Sequence, residues 1–413
     1  MDNSEYKKQF LNAIKGSFIG GAAGDALGYS VEFKSEEFIF DKYGEDGITE
    51  YEIDVKSGKA LISDDTQMAL FTANGILIGK TRLQERGIGA KISRYVNLSY
   101  LDWLKTQSLK YDIVKDMTRG YTKEVVSWLC DVPELFSLRA PGNTCLSGIK
   151  LHQRYHDIVQ NYEFKYDLSD EKFDKYVELS NEYLKYPIND SKGCGGVMRV
   201  APLAMAYDVY KGEIEILKEV DLQAAEISAI THGHPLGYMP SAVLVHIINR
   251  IIFWKNDVPL KDIVIEAKNA VSEIFEGNEY LEEMNRLIDL AINLSENNDS
   301  DLNNIHKLGE GWVAEEALAI ALYCSLKYSN DFSKAIIAAV NHKGDSDSTG
   351  AITGNIVGAI VGYEAIDNKW KTNLELSDVI LEMAEDICFQ DPNSPGEIID
   401  EKWEAKYWKA KRK

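Results

Sequence analysis

Proline is scarce, with 9 in 413 residues, less than half the roughly 5% of an average protein. Disordered, proline-rich and collagen-like architectures are thereby excluded. Cysteine is scarce too. Cys130, Cys145, Cys194, Cys324 and Cys388 form an odd set with no CxxC pair, which excludes a disulfide framework, disfavours structural zinc and fits reduced thiols in a cytoplasmic compartment. No apolar run reaches the ~20 residues that span a bilayer. The most apolar stretches, 242–254 and 351–362, contain or adjoin polar residues, so no membrane span is expected. The first residues, Met1-Asp2-Asn3-Ser4-Glu5, carry acids where a signal peptide wants bases, and no export is expected. Positive charge is also in deficit: 45 Lys+Arg against 66 Asp+Glu leave a net charge of −21. That field repels a phosphate backbone, making nucleic acid an unlikely partner.

What is present is helix periodicity. Met68, Leu70, Phe71, Leu77 and Ile78 recur at helical spacing, as do Val313, Ala317, Leu318, Ile320, Ala321 and Leu322, predicting amphipathic helices. Strict alternation has one clear case, Tyr51, Ile53 and Val55 after Asp46-Gly47, where a short strand pair is expected. The class is otherwise all-α. A chain of this length allows two or three domains or one large core; one compact helical domain over 1–413 is expected, with polar surface insertions near 157–190 and 294–307.

Glycine recurs every four residues twice, at Gly16, Gly20, Gly24 and Gly28 and again at Gly350, Gly354, Gly358 and Gly362. Each interior glycine costs about 1 kcal/mol against alanine in a helix. Two such faces therefore imply close helix packing, and that packing could also bring the two ends of the chain to one site.

Two acidic clusters precede apolar helical runs: Ser63-Asp64-Asp65-Thr66 and Asp345-Ser346-Asp347-Ser348-Thr349. Either alone reads as an N-cap that complements the helix dipole. A cap needs one oxygen, however, and here two carboxylates plus a hydroxyl crowd each end. A divalent cation relieves that repulsion, and an all-oxygen donor set suits Mg²⁺, Mn²⁺ or Ca²⁺. The second cluster is not an EF-hand, because Ile356 occupies the twelfth position where a bidentate Glu belongs. Gly75-x-x-x-Gly79-Lys80-Thr81 is one residue short of a phosphate loop and reads as a helix end. Three further features complete the inventory. The turn Lys192-Gly193-Cys194-Gly195-Gly196-Val197 offers free N–H groups to a phosphate, or is simply a tight turn. Thr231-His232-Gly233-His234-Pro235 opens a helix, and its histidines either bind a ligand or cap and pack. Glu32, at the end of the first glycine face, is a candidate base or a solvated helix-end residue.

Together, segments 20–33, 63–70, 193–202, 231–232 and 344–358 resemble the ADP-ribosylglycohydrolase family, in order and over almost the whole chain. The resemblance implies a compact all-helical fold, two divalent cations, Mg²⁺ or Mn²⁺, and hydrolysis of the bond between ADP-ribose and a modified acceptor. It assigns Ser63, Asp64, Asp65, Asp345, Asp347 and Ser348 to the metals and Glu32 with Asp65 to catalysis. Gly193, Gly195, Gly196 and Val197 fall in the loop that holds the diphosphate, and His232 lines that site. Cys194 stands where the family more commonly has Asn. The Ser-Asp-Asp-Thr form and Arg139-Ala140-Pro141-Gly142 look most like the branch acting on ADP-ribosyl-arginine, so the expected partner is an ADP-ribosylated protein or small ADP-ribosyl compound. The alternatives are a non-catalytic ADP-ribose-binding protein, a glycohydrolase for serine-linked or nucleic-acid-linked ADP-ribose, and a two-metal phosphohydrolase.

Overall fold

The computed structural model describes residues 3–87, 89–120, 123–165, 177–179, 181–254, 258–389 and 401–408. Among these residues the secondary structure is helical, with isolated bridges such as Ala60 with Leu374 in place of strands. The helices longer than eight residues are α1 (Asn3–Tyr29), α2 (Asp64–Arg86), α3 (Ile92–Ser108), α4 (Asn143–Lys165), α5 (Ile214–Ala229), α6 (Pro235–Phe253), α7 (Leu260–Ile274), α8 (Leu281–Ser295), α9 (Ala314–Lys327), α10 (Phe332–Val340), α11 (Ser346–Val361) and α12 (Ser377–Phe389). One continuous cluster of buried apolar side chains runs from Phe10 to Tyr407. The periodic segments fold as expected: Met68, Leu70, Phe71, Leu77 and Ile78 are buried on α2, and Ala317, Leu318, Ile320, Ala321 and Leu322 on α9.

The pairing of α1 with α11 organises the centre. A Cβ on Gly16 would strike the Gly358 carbonyl, one on Gly20 the Gly354 carbonyl, one on Gly24 the Gly350 carbonyl and one on Gly28 the Ser346 carbonyl. The falling partner numbers mark an antiparallel pair in which backbone meets backbone. Asn355 clamps it, its Nδ2 donating to the Ser17 carbonyl at 2.8 Å while the Ser17 hydroxyl donates to the Asn355 carbonyl at 2.9 Å. Antiparallel packing sets the C-terminal end of α1 beside the N-terminal end of α11, so Glu32 arrives next to Asp345 and Asp347. Because the Gly350 carbonyl cannot yield without separating the helices, Gly24→Ala is expected to cost about 3 kcal/mol, the upper range for an overpacked core. Urea denaturation of the full-length chain measures it, and a loss below about 0.5 kcal/mol would contradict the close approach.

The expected strand pair near Tyr51 does not form. Ile53 is 44% and Val55 98% exposed, so the alternation buries no face. Asp54 instead closes a turn by accepting from the backbone N–H groups of Lys56 and Ser57. The polar stretch near 294–307 is half loop and half helix. Ser300 caps Asp301–Leu308, which buries Asn304, Ile305 and Leu308. Of the other polar stretch, near 157–190, residues 166–176 and 180 lie outside the described residues.

Helix α6, at 19 residues, is long and apolar enough by length and composition to cross a membrane, and 89% of its most apolar window is buried inside the protein. It begins upstream of the expected apolar run, because Pro235 and His234 start it and the His234 side chain accepts from the Leu236 N–H. All five cysteines are buried and free of disulfides.

Candidate active site

Three helix ends meet at a cavity of about 330 Å³. Its wall includes Glu32 from beyond α1, Asp64 and Asp65 from the start of α2, and Asp345, Asp347 and Ser348 from the start of α11. Gly193, Gly195 and His232 lie on the same wall, so most of the residues singled out in the sequence come together. Ser63, Gly196 and Val197 do not line the cavity. The Ser63 hydroxyl accepts from the Asp65 N–H at 3.1 Å, as an N-cap does. Gly196 packs against the Gly237 carbonyl and Ser228, and Val197 is fully buried in the core.

Asp25 is the residue that organises the α2 start. Fully buried on α1, it accepts from the Ser63 N–H through both carboxyl oxygens at 2.9 and 3.1 Å, from the Thr66 N–H at 3.1 Å and from the Thr66 hydroxyl. It thus satisfies helix-terminal donors from another helix, which fixes where Asp64 and Asp65 stand. Sequence reading passed over it; its one signal was a charged residue inside a glycine-faced helix. The Asp64 N–H donates to the Arg139 carbonyl at 3.0 Å, and the Arg139 side chain bonds Glu375 at 2.7 Å. The Arg139-Ala140-Pro141-Gly142 segment therefore serves as both support and wall.

At the other acidic cluster, the Ser348 N–H is shared between Asp345 Oδ1 at 3.3 Å and Asp347 Oδ1 at 3.0 Å. The Cys194 thiol donates to Asp345 Oδ2 at 2.7 Å. Burial, reinforced by that carboxylate, pushes the Cys194 thiol far above its ordinary range.

The electrostatics follow from burying acids beside acids. Burial and then Asp345, Asp64 and Asp25 raise Glu32 to about 9. Asp64 and Asp65 are raised well above the usual carboxylate range by burial and the Asp25 charge, and Asp347 by burial and Asp65. Glu32 is hydrogen-bonded to Asp347, Asp347 to Asp345, and Asp65 to Ser348. Glu32 Oε2 and Asp65 Oδ2 are buried without a hydrogen-bond partner. Among the described residues, no three His, Cys, Asp or Glu side chains stand in an arrangement that holds a metal ion; the acids pair with one another instead. Two carboxyl groups in hydrogen-bonding contact need a positive charge between them, whether a proton or a cation.

The glycine turn folds as the short 3₁₀ helix Cys194–Arg199. A Cβ at Gly195 would collide with Cys145 Sγ at 2.6 Å and His232 Cε1 at 2.9 Å, so only glycine lets this backbone lie against the imidazole. The Cys194 N–H donates to the Trp312 carbonyl at 3.2 Å, and the Ala314 N–H to the Lys192 carbonyl at 2.9 Å. This stitching holds Trp312 at the cavity, where its ring stacks on Phe33 with centroids 5.3 Å apart and planes 21° apart. Phe33 is 66% exposed and sits at φ 60°, a left-handed conformation unusual for a bulky residue. Neither aromatic carried a sequence signal, since pairing Phe33 with Trp312 requires the fold.

The site is thus an all-helical cleft in which five acids converge opposite a glycine turn and a histidine. Residues 7–395 match the ADP-ribosylglycohydrolase family; the chain belongs to it and is a glycohydrolase enzyme. It is 22% identical over 363 residues to the ADP-ribosyl-[dinitrogen reductase] glycohydrolase of Rhodospirillum rubrum, a match covering 87% of this chain and 90% of that protein. It is 24% identical over 204 residues to ADP-ribosylhydrolase ARH3 of Homo sapiens, covering 45% of this chain and 54% of the relative, about half of that protein's length. A solved structure described as an ADP-ribosylglycohydrolase-related protein complex shares the fold with a TM-score of 0.57 at 20% identity, over 93% of this chain and 99% of the other.

Proposed function

We propose that the cavity binds ADP-ribose joined to an arginine side chain and hydrolyses the glycosidic bond. The observation that carries this reading is the meeting of Glu32, Asp64, Asp65, Asp345 and Asp347 opposite Gly193, Gly195 and His232 in one cavity. Oxygen-only donors, with an unpartnered buried oxygen on Asp65, fit hard divalent cations. In this reading Asp64, Asp65, Asp345, Asp347 and Ser348 hold two Mg²⁺ or Mn²⁺ ions, and Ser63 acts on them through its cap of Asp65. When bound, such ions supply positive charge for the ribose hydroxyls and lower the pKa of a water at the anomeric carbon.

The chain's own groups do the rest. Glu32, held in its protonated range by burial and neighbouring acids, orients a water or holds and returns a proton at the anomeric centre. The glycine turn and His232 receive the diphosphate, whose charge would otherwise be repelled by a molecule of net charge −21. The Phe33–Trp312 pair offers a flat apolar face on which a planar group stacks.

Arginine linkage is supported by the resemblance of Ser63–Thr66 and Arg139–Gly142 to the arginine branch, and by the acidic surface that attracts a basic acceptor. The R. rubrum relative, matched along its length, is named for hydrolysis at an ADP-ribosylated protein. Side-by-side initial rates on arginine-linked and serine-linked ADP-ribosyl peptides test it. Faster release from arginine is expected, with a margin that narrows as salt screens the long-range attraction. Faster release from serine would overturn the linkage and leave the glycohydrolase reading in place.

A further inference from the structure

Arg199 lies behind the cavity wall, fully buried. Among the described residues it has no carboxylate partner within ion-pair distance. A guanidinium cannot release its proton and has only donors to offer, so its contacts dictate the roles of its neighbours. Its Nη2 donates to Thr231 Oγ1 at 2.7 Å; its Nη1 lies 3.5 Å from both Met68 Sδ and Cys145 Sγ, and its plane stands 4.6 Å from the centre of the Tyr100 ring. Thr231 Oγ1 lies 2.8 Å from His232 Nδ1. Thr231 is fully buried, and among the described residues its hydroxyl has these two partners and no other acceptor.

The hydroxyl owns one proton. Arg199 supplies the hydrogen on one side, so the threonine proton is left for His232 Nδ1, since otherwise it would be buried unpaired at a cost of roughly 1–3 kcal/mol. A neutral imidazole that accepts at Nδ1 carries its hydrogen on Nε2. That nitrogen lies beside the Gly193 and Gly195 backbone, 3.3 Å from where a Cβ of either would stand, on the cavity wall. Burial and the Arg199 charge independently push His232 down to about 3, so the ring is neutral at physiological pH.

We propose that Arg199 is a positioning residue which, through Thr231, locks His232 as the Nε2–H tautomer and so presents a hydrogen-bond donor to an anionic oxygen of the substrate at the glycine turn. The proposal deepens the reading above and rests on it for the identity of the anion. The directionality follows from the contacts alone. A histidine in the opposite tautomer would aim a lone pair at that oxygen and repel it.

The test is ¹⁵N-histidine NMR of the full-length protein at pH 7, with the His232 signals assigned by His232→Asn, combined with calorimetric titration of free ADP-ribose. The wild type is expected to show a neutral ring protonated at Nε2. Thr231→Val removes the relay at nearly constant shape. It is expected to populate the other tautomer and to weaken ADP-ribose binding about tenfold or more, the loss of one hydrogen bond to a charged group. Thr231→Ser, which restores the hydroxyl, is expected to recover both. Should Thr231→Val fold poorly, the wild-type and Thr231→Ser spectra still decide the matter. A wild-type ring protonated at Nδ1, or a Thr231→Val protein with unchanged tautomer and affinity, overturns the proposal. Failure of the wild type to bind ADP-ribose, with the Nε2–H tautomer in place, would refute the substrate and leave the Arg199 relay standing.

Discussion

Asp347→Asn and Asp65→Asn are each expected to lower ADP-ribosyl hydrolysis by more than about 100-fold, the upper end of what removing even an outer-shell partner of a metal ligand costs. Both carboxyl groups are buried on the cavity wall, and each is raised well above its ordinary range by burial and by its acidic neighbours. An amide there removes a charge that a cation would bind and also removes repulsion between acids, so the fold should survive and gain thermal stability. Initial rates, circular dichroism and melting temperature separate the two effects. EDTA should abolish wild-type activity, and Mg²⁺ or Mn²⁺ should restore it. Near-normal turnover in both variants would refute the acidic clusters as a metal site.

Glu32→Gln is expected to reduce turnover by about 10²–10⁴-fold, the span of general acid–base catalysis, while cation affinity measured by calorimetry stays near wild type. Lost affinity would reassign Glu32 to the metal shell. The same residue predicts a pH trend. With its carboxyl raised from 4.5 to about 9, the folded protein holds a proton that the unfolded chain has released across that window. Its contribution to stability is therefore full below pH 4.5 and lost as pH rises through 9. EDTA-treated protein should melt at progressively lower temperature from pH 5 to pH 9. Glutamine, which has no proton to lose, should flatten that slope.

The residues legible in the sequence are those whose chemistry is local. Paired acids at a helix start announce themselves at Asp64-Asp65 and Asp345-x-Asp347, and the four-residue glycine spacing anticipates the α1–α11 contact before any partner is known. Asp25 was missed because its partners, Ser63 and Thr66, lie 38 and 41 positions away. Phe33 and Trp312 were missed for the same reason, and Arg199 reads as one base among 45 Lys+Arg until burial and Thr231 give it a role. Alternation at Tyr51–Val55 misled because a period of two makes a strand only where one face finds something to pack against. The acidic loop before Asp301 concealed a helix because polar residues on an exposed face obscure the few that are buried, Asn304, Ile305 and Leu308.

The most direct measurement is the identity of what the enzyme releases from an ADP-ribosyl-arginine peptide in the presence of Mg²⁺ or Mn²⁺, resolved by chromatography with mass detection. The account predicts free ADP-ribose with its diphosphate intact and an unmodified arginine, abolished in Asp347→Asn. Release of AMP or phosphate, or tight ADP-ribose binding with no turnover, would contradict it.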